Sequence, residues 1–393
     1  MITYSEAQNI LSTQAHSFGK ETIFLVEAPD RILGEKIFSD RDYPPFNRSA
    51  MDGFAVRFAD LEKGIRDFEI IETIYAGQAH TKLLSNGQCY RIMTGAGLPE
   101  GADLTIRRED TDERANNICL KDGHFHSFQN VSRKGEDCRS GALIIDQPVQ
   151  CNPAIISLLA TLGKNRVVVE RLPDVAIITT GNEVVDGEEI ISPLHIRNSN
   201  QAMLIALLRK YSIKPVTVQH VKDDASLLRE AFSSALEADI VISCGGVSAG
   251  DADYVPGVLA ELCVEKLFHK VAIKPGKPIW SGKTKNGIVF ALPGNPFSCL
   301  VTFILFVQHY INACNGLPVL KPERYLLKGE RQKKSSFDEF YPVKIINNQH
   351  QVQPLPFNGS GDIQAALFAD GIALHVAGKT RVEDELVDFF YLK

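Results

Sequence analysis

The run Asp174-Val-Ala-Ile-Ile-Thr-Thr180 decides the fold of this 393-residue chain. Its apolar residues do not alternate with polar ones, so it reads as a strand buried on both faces, as in a parallel sheet covered by helices. Working outward, apolar periodicity predicts a helix over Ser199–Tyr211, a strand over Lys214–Val221, a helix over Ala225–Ala238, a strand over Asp239–Cys244 and a helix over Tyr254–Leu262. Val271–Lys274 and Ile288–Leu292 read as further strands. A long helix over Phe297–Cys314 is entered through Pro296 and closed by Gly316. Strands alternating with helices imply a parallel, doubly wound α/β domain.

Other patterns flank this domain. The first forty residues read as helical with a polar break, Ser5 serving as cap and Ala7, Ile10 and Leu11 as the apolar face. Pro44 and Pro45 then forbid helix and hold the Arg41–Gly53 stretch extended. Residues 54 to 132 read as β-rich: Phe68–Tyr75 and Leu104–Arg108 are β-branched runs, punctuated by Asn86-Gly87 and Asp122-Gly123 turns. Residues 135–170 are mixed, with a helix over Pro153–Leu162 stopped by Gly163. Beyond residue 318, Tyr341–Ile346, a turn at Asn347-Asn348 and Gln351–Leu355 suggest a small all-β module.

Composition narrows the function classes. Charged residues make up 23% of the chain and apolar residues 44%, with 29 Gly and 19 Pro, which excludes collagen-like and disordered classes for the bulk of it. The net charge of −6 and the lack of an uninterrupted basic block argue against a nucleic-acid wrapper; Glu323 and Glu330 break the most basic stretch, Lys321–Lys334. The most apolar run, Cys299–Val307, is too short to span a bilayer. The start of the chain lacks the pattern of a secretory signal. The eight cysteines form no C-x-x-C pair and read as reduced cytoplasmic thiols. His124 and His126 read as surface-strand residues rather than a metal site.

Three glycine-bearing loops leave predicted strand ends, where ligands bind in such sheets. They are Thr179-Thr-Gly-Asn-Glu183, Gly245-Gly-Val-Ser-Ala-Gly-Asp-Ala-Asp253 and Pro293-Gly-Asn-Pro296. Glycine lets the backbone approach an anion, and the helix N-terminus behind it offers N–H donors. Lys270-Val-Ala-Ile-Lys-Pro-Gly-Lys277 adds three ammonium groups; in a strand, Lys270 and Lys274 would share a side, and three such point charges can hold an oxyanion. The carboxylates Glu183, Asp223, Asp251 and Asp253 fall in loops of the same domain and are the residue type that carries magnesium beside phosphates. Upstream, Ser49-Ala-Met-Asp-Gly53, the turn after Thr94 and Gly135-Glu-Asp137 form a second polar group. The order of residues supports no Ser-His-Asp or Cys-His nucleophile. The lack of G-x-G-x-x-G from residue 173 onward argues against a nicotinamide enzyme.

Taken together these segments resemble the MoeA-type molybdopterin molybdenumtransferases over nearly the whole chain. The marks are Pro44-Pro-Phe-Asn-Arg-Ser-Ala-Met-Asp-Gly53, Ile92-Met-Thr-Gly-Ala96, Thr180-Gly-Asn-Glu183, Gly245–Asp253, Lys274-Pro-Gly-Lys-Pro278 and Leu292-Pro-Gly-Asn-Pro296, with Gly359-Ser-Gly361 and Ala369-Asp-Gly371 near the C-terminus. The resemblance implies an elongated linker domain (1–46 and 133–170), an inserted β-rich domain (47–132), a doubly wound α/β molybdopterin-binding domain (171–317) and a C-terminal β-barrel (318–393). It implies a cytoplasmic homodimer with composite active sites, magnesium as cofactor, and insertion of molybdate, or tungstate, into adenylyl-molybdopterin with release of AMP. The enzyme that adenylates the pterin is an expected partner; nucleic acid and membrane are not.

On this resemblance Thr180, Gly181, Ser199, Asn200, Gly245, Gly246, Ser248, Gly250, Pro293, Gly294, Asn295 and Pro296 would bind the pterin nucleotide. Lys270, Lys274 and Lys277 would attract molybdate and neutralise phosphate charge. Glu183, Asp223, Asp251 and Asp253 would serve magnesium, and Asp52, Thr94 and Asp137 would complete the site from the partner chain. The sequence departs from the family pattern at Asn182, where Asp is usual, at Asn47-Arg48 for Asp-Asn, and at Ala249 for Val. The alternatives are a molybdopterin adenylyltransferase or competence-damage-type hydrolase, which would lack the Ser49–Gly53 loop and the barrel, and a catalytically weak pterin-binding scaffold.

Overall fold

The structure, a computed structural model, describes all residues except 147, 186, 188–191, 248–253, 319–321, 333–334, 347–349, 380 and 393, and the side chain of 381. Contacts divide it into two units: residues 1–34, 148–160 and 164–393, and residues 35–147 with 161–163.

In the larger unit, the uninterrupted apolar runs become the middle of a six-stranded sheet. Its order is Thr217–Val221, Val175–Thr180, Ile240–Cys244, Ile288–Leu292, Trp280–Lys283 and Glu265–His269. Val175 and Ile177 face one helical layer, with Leu204 and the core helix. Ala176 and Ile178 face the other, with Leu228 and Phe232. That two-sided burial is why no polar alternation was available to mark the strand.

The first four strands are parallel, whereas Trp280–Lys283 runs antiparallel to both of its neighbours, Ile288–Leu292 and Glu265–His269, so the sheet is mixed rather than wholly parallel. The cause is a hairpin at residues 284–287, closed by Thr284 N–H to the Gly287 carbonyl at 2.8 Å. Only glycine fits at 287, where a Cβ would lie 1.8 Å from the Asp239 carbonyl oxygen. The expected strand over 271–274 shrinks to Ile273–Lys274, which pairs with the C-terminal module and not with this sheet.

The core helix runs from Pro296 to Cys314 as Pro296–Thr302, a π-helical Phe303–Gln308 and His309–Cys314. It has the length and hydropathy of a membrane span, but 83% of that window is buried inside the protein, so it is the core of a packed domain. The C-terminal module closes on itself: Asp338–Ile346, Gln351–Pro354, Glu323–Leu327, Leu386–Tyr391 and Gly371–His375 pair in turn, and the last returns to Asp338–Ile346. This five-stranded barrel encloses Tyr325, Tyr341, Val352 and Phe389. The Asn347-Asn348 turn lies outside the described residues.

The N-terminal expectation needs correction. Helix covers only Tyr4–Gln14, and its cap is Thr3, in a capping box with Glu6, rather than Ser5. Lys20–Phe24 is a strand, paired with Arg166–Glu170. The helix at Pro153–Thr161 forms as expected.

The smaller unit is built on a six-stranded sheet ordered Leu104–Arg107, Gly53–Val56, Gln88–Ile92, Asp67–Ile74, Asn117–Leu120 and Thr111–Arg114. Phe54, Phe68 and Ile118 fill its core.

Candidate active site

A cavity of about 390 Å³ opens at the carboxyl ends of Val175–Thr180, Ile240–Cys244 and Ile288–Leu292. The first loop is tied to the turn after the Thr217–Val221 strand: Asn182 N–H donates to Asp223 Oδ2 and Asp223 N–H donates to Asn182 Oδ1, both at 3.2 Å. The Thr180 hydroxyl donates to Asp223 Oδ1 at 2.6 Å. Gly181, Gly245, Gly246, Gly294, Asn295 and Pro296 line the cavity with Thr180 and Pro293.

Two helices begin on this cavity. Ser199 and Asn200 open Ser199–Arg209, capped by Asn198, and Pro296 opens the core helix behind Asn295. Asn200 Nδ2 donates to the Gly294 carbonyl at 2.6 Å, joining the two helix starts. The positive ends of two helix dipoles therefore face one volume, an arrangement suited to phosphate. Glu183 is exposed on its rim and Asp223 is half-buried in its wall. Ser248, Gly250, Asp251 and Asp253 lie outside the described residues. Among the described residues, no three His, Cys, Asp or Glu side chains gather at one point. Glu183 and Asp223 are nevertheless two hard oxygen donors on one cavity, which suits magnesium, an ion held by one or two carboxylates plus substrate phosphate.

The lysines separate. Lys274 and Lys277 line a second cavity of about 640 Å³ that shares Pro278, Pro293 and Asn295 with the first. Lys274 Nζ is 3.7 Å from Glu339 Oε1. Arg331 donates to Glu339 Oε2 at 2.8 Å and lies 4.0 Å over the Tyr341 ring. Burial pulls the Arg331 pKa below its ordinary value, and Glu339 opposes the shift. Lys277 sits 5.2 Å from the Phe337 ring centre. Asn295 Nδ2 donates to Ser360 Oγ at 3.0 Å, linking the first cavity's loop to the wall of the second. Lys270 lines neither cavity: its φ of +65° breaks the strand alternation on which the shared side with Lys274 depended.

In the smaller unit, Asp52 Oδ1 accepts both the Thr94 N–H at 2.7 Å and the Thr94 hydroxyl at 2.8 Å. These bonds hold the Asp52 carboxyl below the usual carboxylate range, the backbone donor contributing most. Both residues line a cavity of about 580 Å³ with Met51, Arg107, Arg108 and Glu109. Asp137 is not among the lining residues; its N–H donates to the Tyr43 carbonyl at 3.0 Å on a separate exposed loop.

Residues 2–163 match the model of the MoeA N-terminal region (domain I and II), and residues 176–313 match that of a probable molybdopterin binding domain. The molybdopterin molybdenumtransferase of Staphylococcus epidermidis is 33% identical over 391 residues, 97% of this chain and 92% of that relative. The chain belongs to the MoeA family. The Staphylococcus aureus molybdopterin molybdenumtransferase is also 33% identical, covering 96% of the chain and 92% of its own length. A MoeA crystal structure from Pyrococcus horikoshii superposes with a TM-score of 0.83 at 29% identity, covering 100% of this chain and 99% of that one.

In this MoeA-family chain the C-terminal module supplies cavity-lining residues that sequence reading missed. Arg331 and Ser360 reach the lysine cavity from the C-terminal module, with no motif around them except the glycines flanking Ser360. Arg107 ends the apolar Leu104–Arg107 strand and Arg108 opens the turn after it, and no local motif marks either. Thr179 and Asn198 line the phosphate-type cavity next to residues that were singled out.

Proposed function

We propose that this chain is a molybdopterin molybdenumtransferase, converting adenylyl-molybdopterin and molybdate to molybdenum cofactor and AMP. The observation that carries this reading is the abutment of two unlike cavities. One has glycine loops and two helix N-termini; the other has Lys274, Lys277 and Arg331; Pro278, Pro293 and Asn295 wall both. A phosphate anhydride bound in the first lies beside an oxyanion bound in the second.

Backbone N–H groups of the glycine loops would hold the phosphates without adding bulk. Lys274 and Lys277 would attract the dianion as mobile point charges, while Arg331, oriented by Glu339, would fix it with a planar fork. Negative charge grows on the departing AMP phosphate as the anhydride breaks, and the preset N–H groups stabilise it without reorganising. Glu183 and Asp223 would hold magnesium, which supplies charge neutralisation at the phosphates. Asp52 and Thr94 would complete the site from the second subunit of a homodimer, and the four-part domain division is retained with this reading. All eight cysteines are free thiols, which supports a reducing, cytoplasmic setting.

Purified protein given adenylyl-molybdopterin, magnesium, and either molybdate or tungstate tests the reading. AMP release that depends on one oxyanion is expected, and names the metal. Tight pterin-nucleotide binding with no AMP under either oxyanion would overturn it in favour of a scaffold.

A further inference from the structure

One wall of the nucleotide cavity depends on a hydrogen-bond chain that begins outside it. His220, half-buried on the edge strand, is paired in register with Thr179. Its Nδ1 is 3.1 Å from Thr179 Oγ1. The same oxygen accepts Asn198 Nδ2 at 2.8 Å. Asn198 in turn caps Ser199–Arg209, its Oδ1 accepting the Gln201 N–H at 3.3 Å. Thr179 and Asn198 line the cavity and His220 does not.

We infer that His220 is a positioning residue for this cavity: by engaging the Thr179 hydroxyl it fixes which way the Asn198 amide faces. The inference rests on reading that cavity as the pterin-nucleotide site. The two ends of an amide are nearly the same shape, so its partners alone decide its orientation. Capping needs Oδ1 on the Gln201 N–H, which turns Nδ2 to Thr179 and obliges that hydroxyl to accept. A hydroxyl accepts cleanly only when its own proton points elsewhere. With Nδ1 unprotonated, His220 takes the proton at 3.1 Å, nearer than the Gln219 carbonyl at 3.4 Å. With Nδ1 protonated, His220 donates to Thr179, whose proton then goes to Gln219. Both neutral tautomers leave the Asn198 amide in the same sense. Without the imidazole, the Thr179 proton can swing to Asn198. Gln201 Oε1 also accepts Asn198 Nδ2, at 3.2 Å, but it is itself one end of an amide that can turn with it, so the Asn198 amide can turn over and meet the Gln201 N–H with its own donor. The first helical turn frays, and with it goes Asn200, whose bond to the Gly294 carbonyl ties this wall to the Pro293–Pro296 loop.

The test compares wild type, His220→Ala and His220→Asn, since an Asn side chain carries an acceptor near the place of Nδ1. Amide hydrogen exchange at Gln201 is read on the full chain without ligand, and KM and kcat with adenylyl-molybdopterin. In the Ala variant Gln201 should exchange about 10-fold faster, the scale of a lost cap. KM should rise about 5-fold with kcat within about twofold, the pattern of lost ground-state positioning. The Asn variant should restore both. Wild-type exchange in the Ala variant overturns the relay, as does faster exchange that Asn fails to restore. Faster exchange with unchanged KM overturns the positioning role. A wild-type protein that neither binds nor turns over the substrate removes the functional reading instead, and the exchange data still decide the relay.

Discussion

Gly245 carries a backbone conformation that side chains resist and a space they cannot enter. Its φ is +104°, and a Cβ there would lie 2.6 Å from the Thr180 carbonyl oxygen. That closeness brings the second loop against the first, and a Cβ built on Gly294 of the third loop would lie 3.6 Å from Gly245 Cα. Gly245→Ala should therefore cost about 1–3 kcal/mol of stability through backbone strain, and should weaken AMP binding more than Ala at Gly257, where a Cβ meets nothing. Urea unfolding and calorimetric AMP titration of both variants check this; equal behaviour would refute it. Asp52 works differently. Thr94 spends two donors on its carboxylate, which keeps it charged and aimed in a cavity shared with two arginines.

At the scale of elements, the Tyr4–Gln14 helix lies on the core helix through Tyr4 against the Phe306 edge, and through Gln8 Nε2 donating to the Leu305 carbonyl at 3.2 Å. Ser12 Oγ meets His309 Nε2 at 2.8 Å. Burial depresses the His309 pKa, and that of His269 likewise. In the unfolded chain His309 titrates near about 6.5, so below that pH the unfolded state binds a proton the folded state refuses. Stability should fall as pH drops through this value and below. Melting temperatures at pH 7.5 and 5.5 should differ less in His309→Gln than in wild type; an unchanged difference would rule out His309 as a contributor. How legible such elements were depends on what specifies them. Ile288–Leu292 is apolar throughout and bounded by Gly287 and Pro293, so its own residues mark it. Trp280–Lys283 is short and half polar, so its own residues do not mark it, and the Asn286-Gly287 pair that carries the hairpin signal went unread. The glycine loops were legible because glycine is demanded locally. Arg331 and Ser360 were not, because they lie on a short two-stranded ribbon and a turn of the C-terminal module, far in sequence from Lys274, and only the tertiary fold brings them to its cavity.

At the scale of the molecule, the polar residues gather at two centres in two units, Glu183 with Asp223 in one and Asp52 with Thr94 in the other. Neither centre alone has both a phosphate cradle and the strongly held Asp52 carboxylate. If each active site draws one centre from each subunit of a homodimer, Glu183→Ala and Asp52→Ala proteins are each inactive for different reasons. Subunit exchange between them then produces heterodimers with one site carrying both lesions and one carrying neither. Statistical exchange makes half the dimers heterodimers, so the mixture should recover about a quarter of wild-type AMP release. A site built within one chain gives the opposite result, since every subunit retains its own lesion and mixing restores nothing. The experiment needs only the two variants, unfolded together and refolded or incubated until subunits exchange. A third sample, Asp52→Ala mixed with a Glu183→Ala, Asp52→Ala double variant, must stay inactive in either case, because no dimer in it can assemble an unimpaired site.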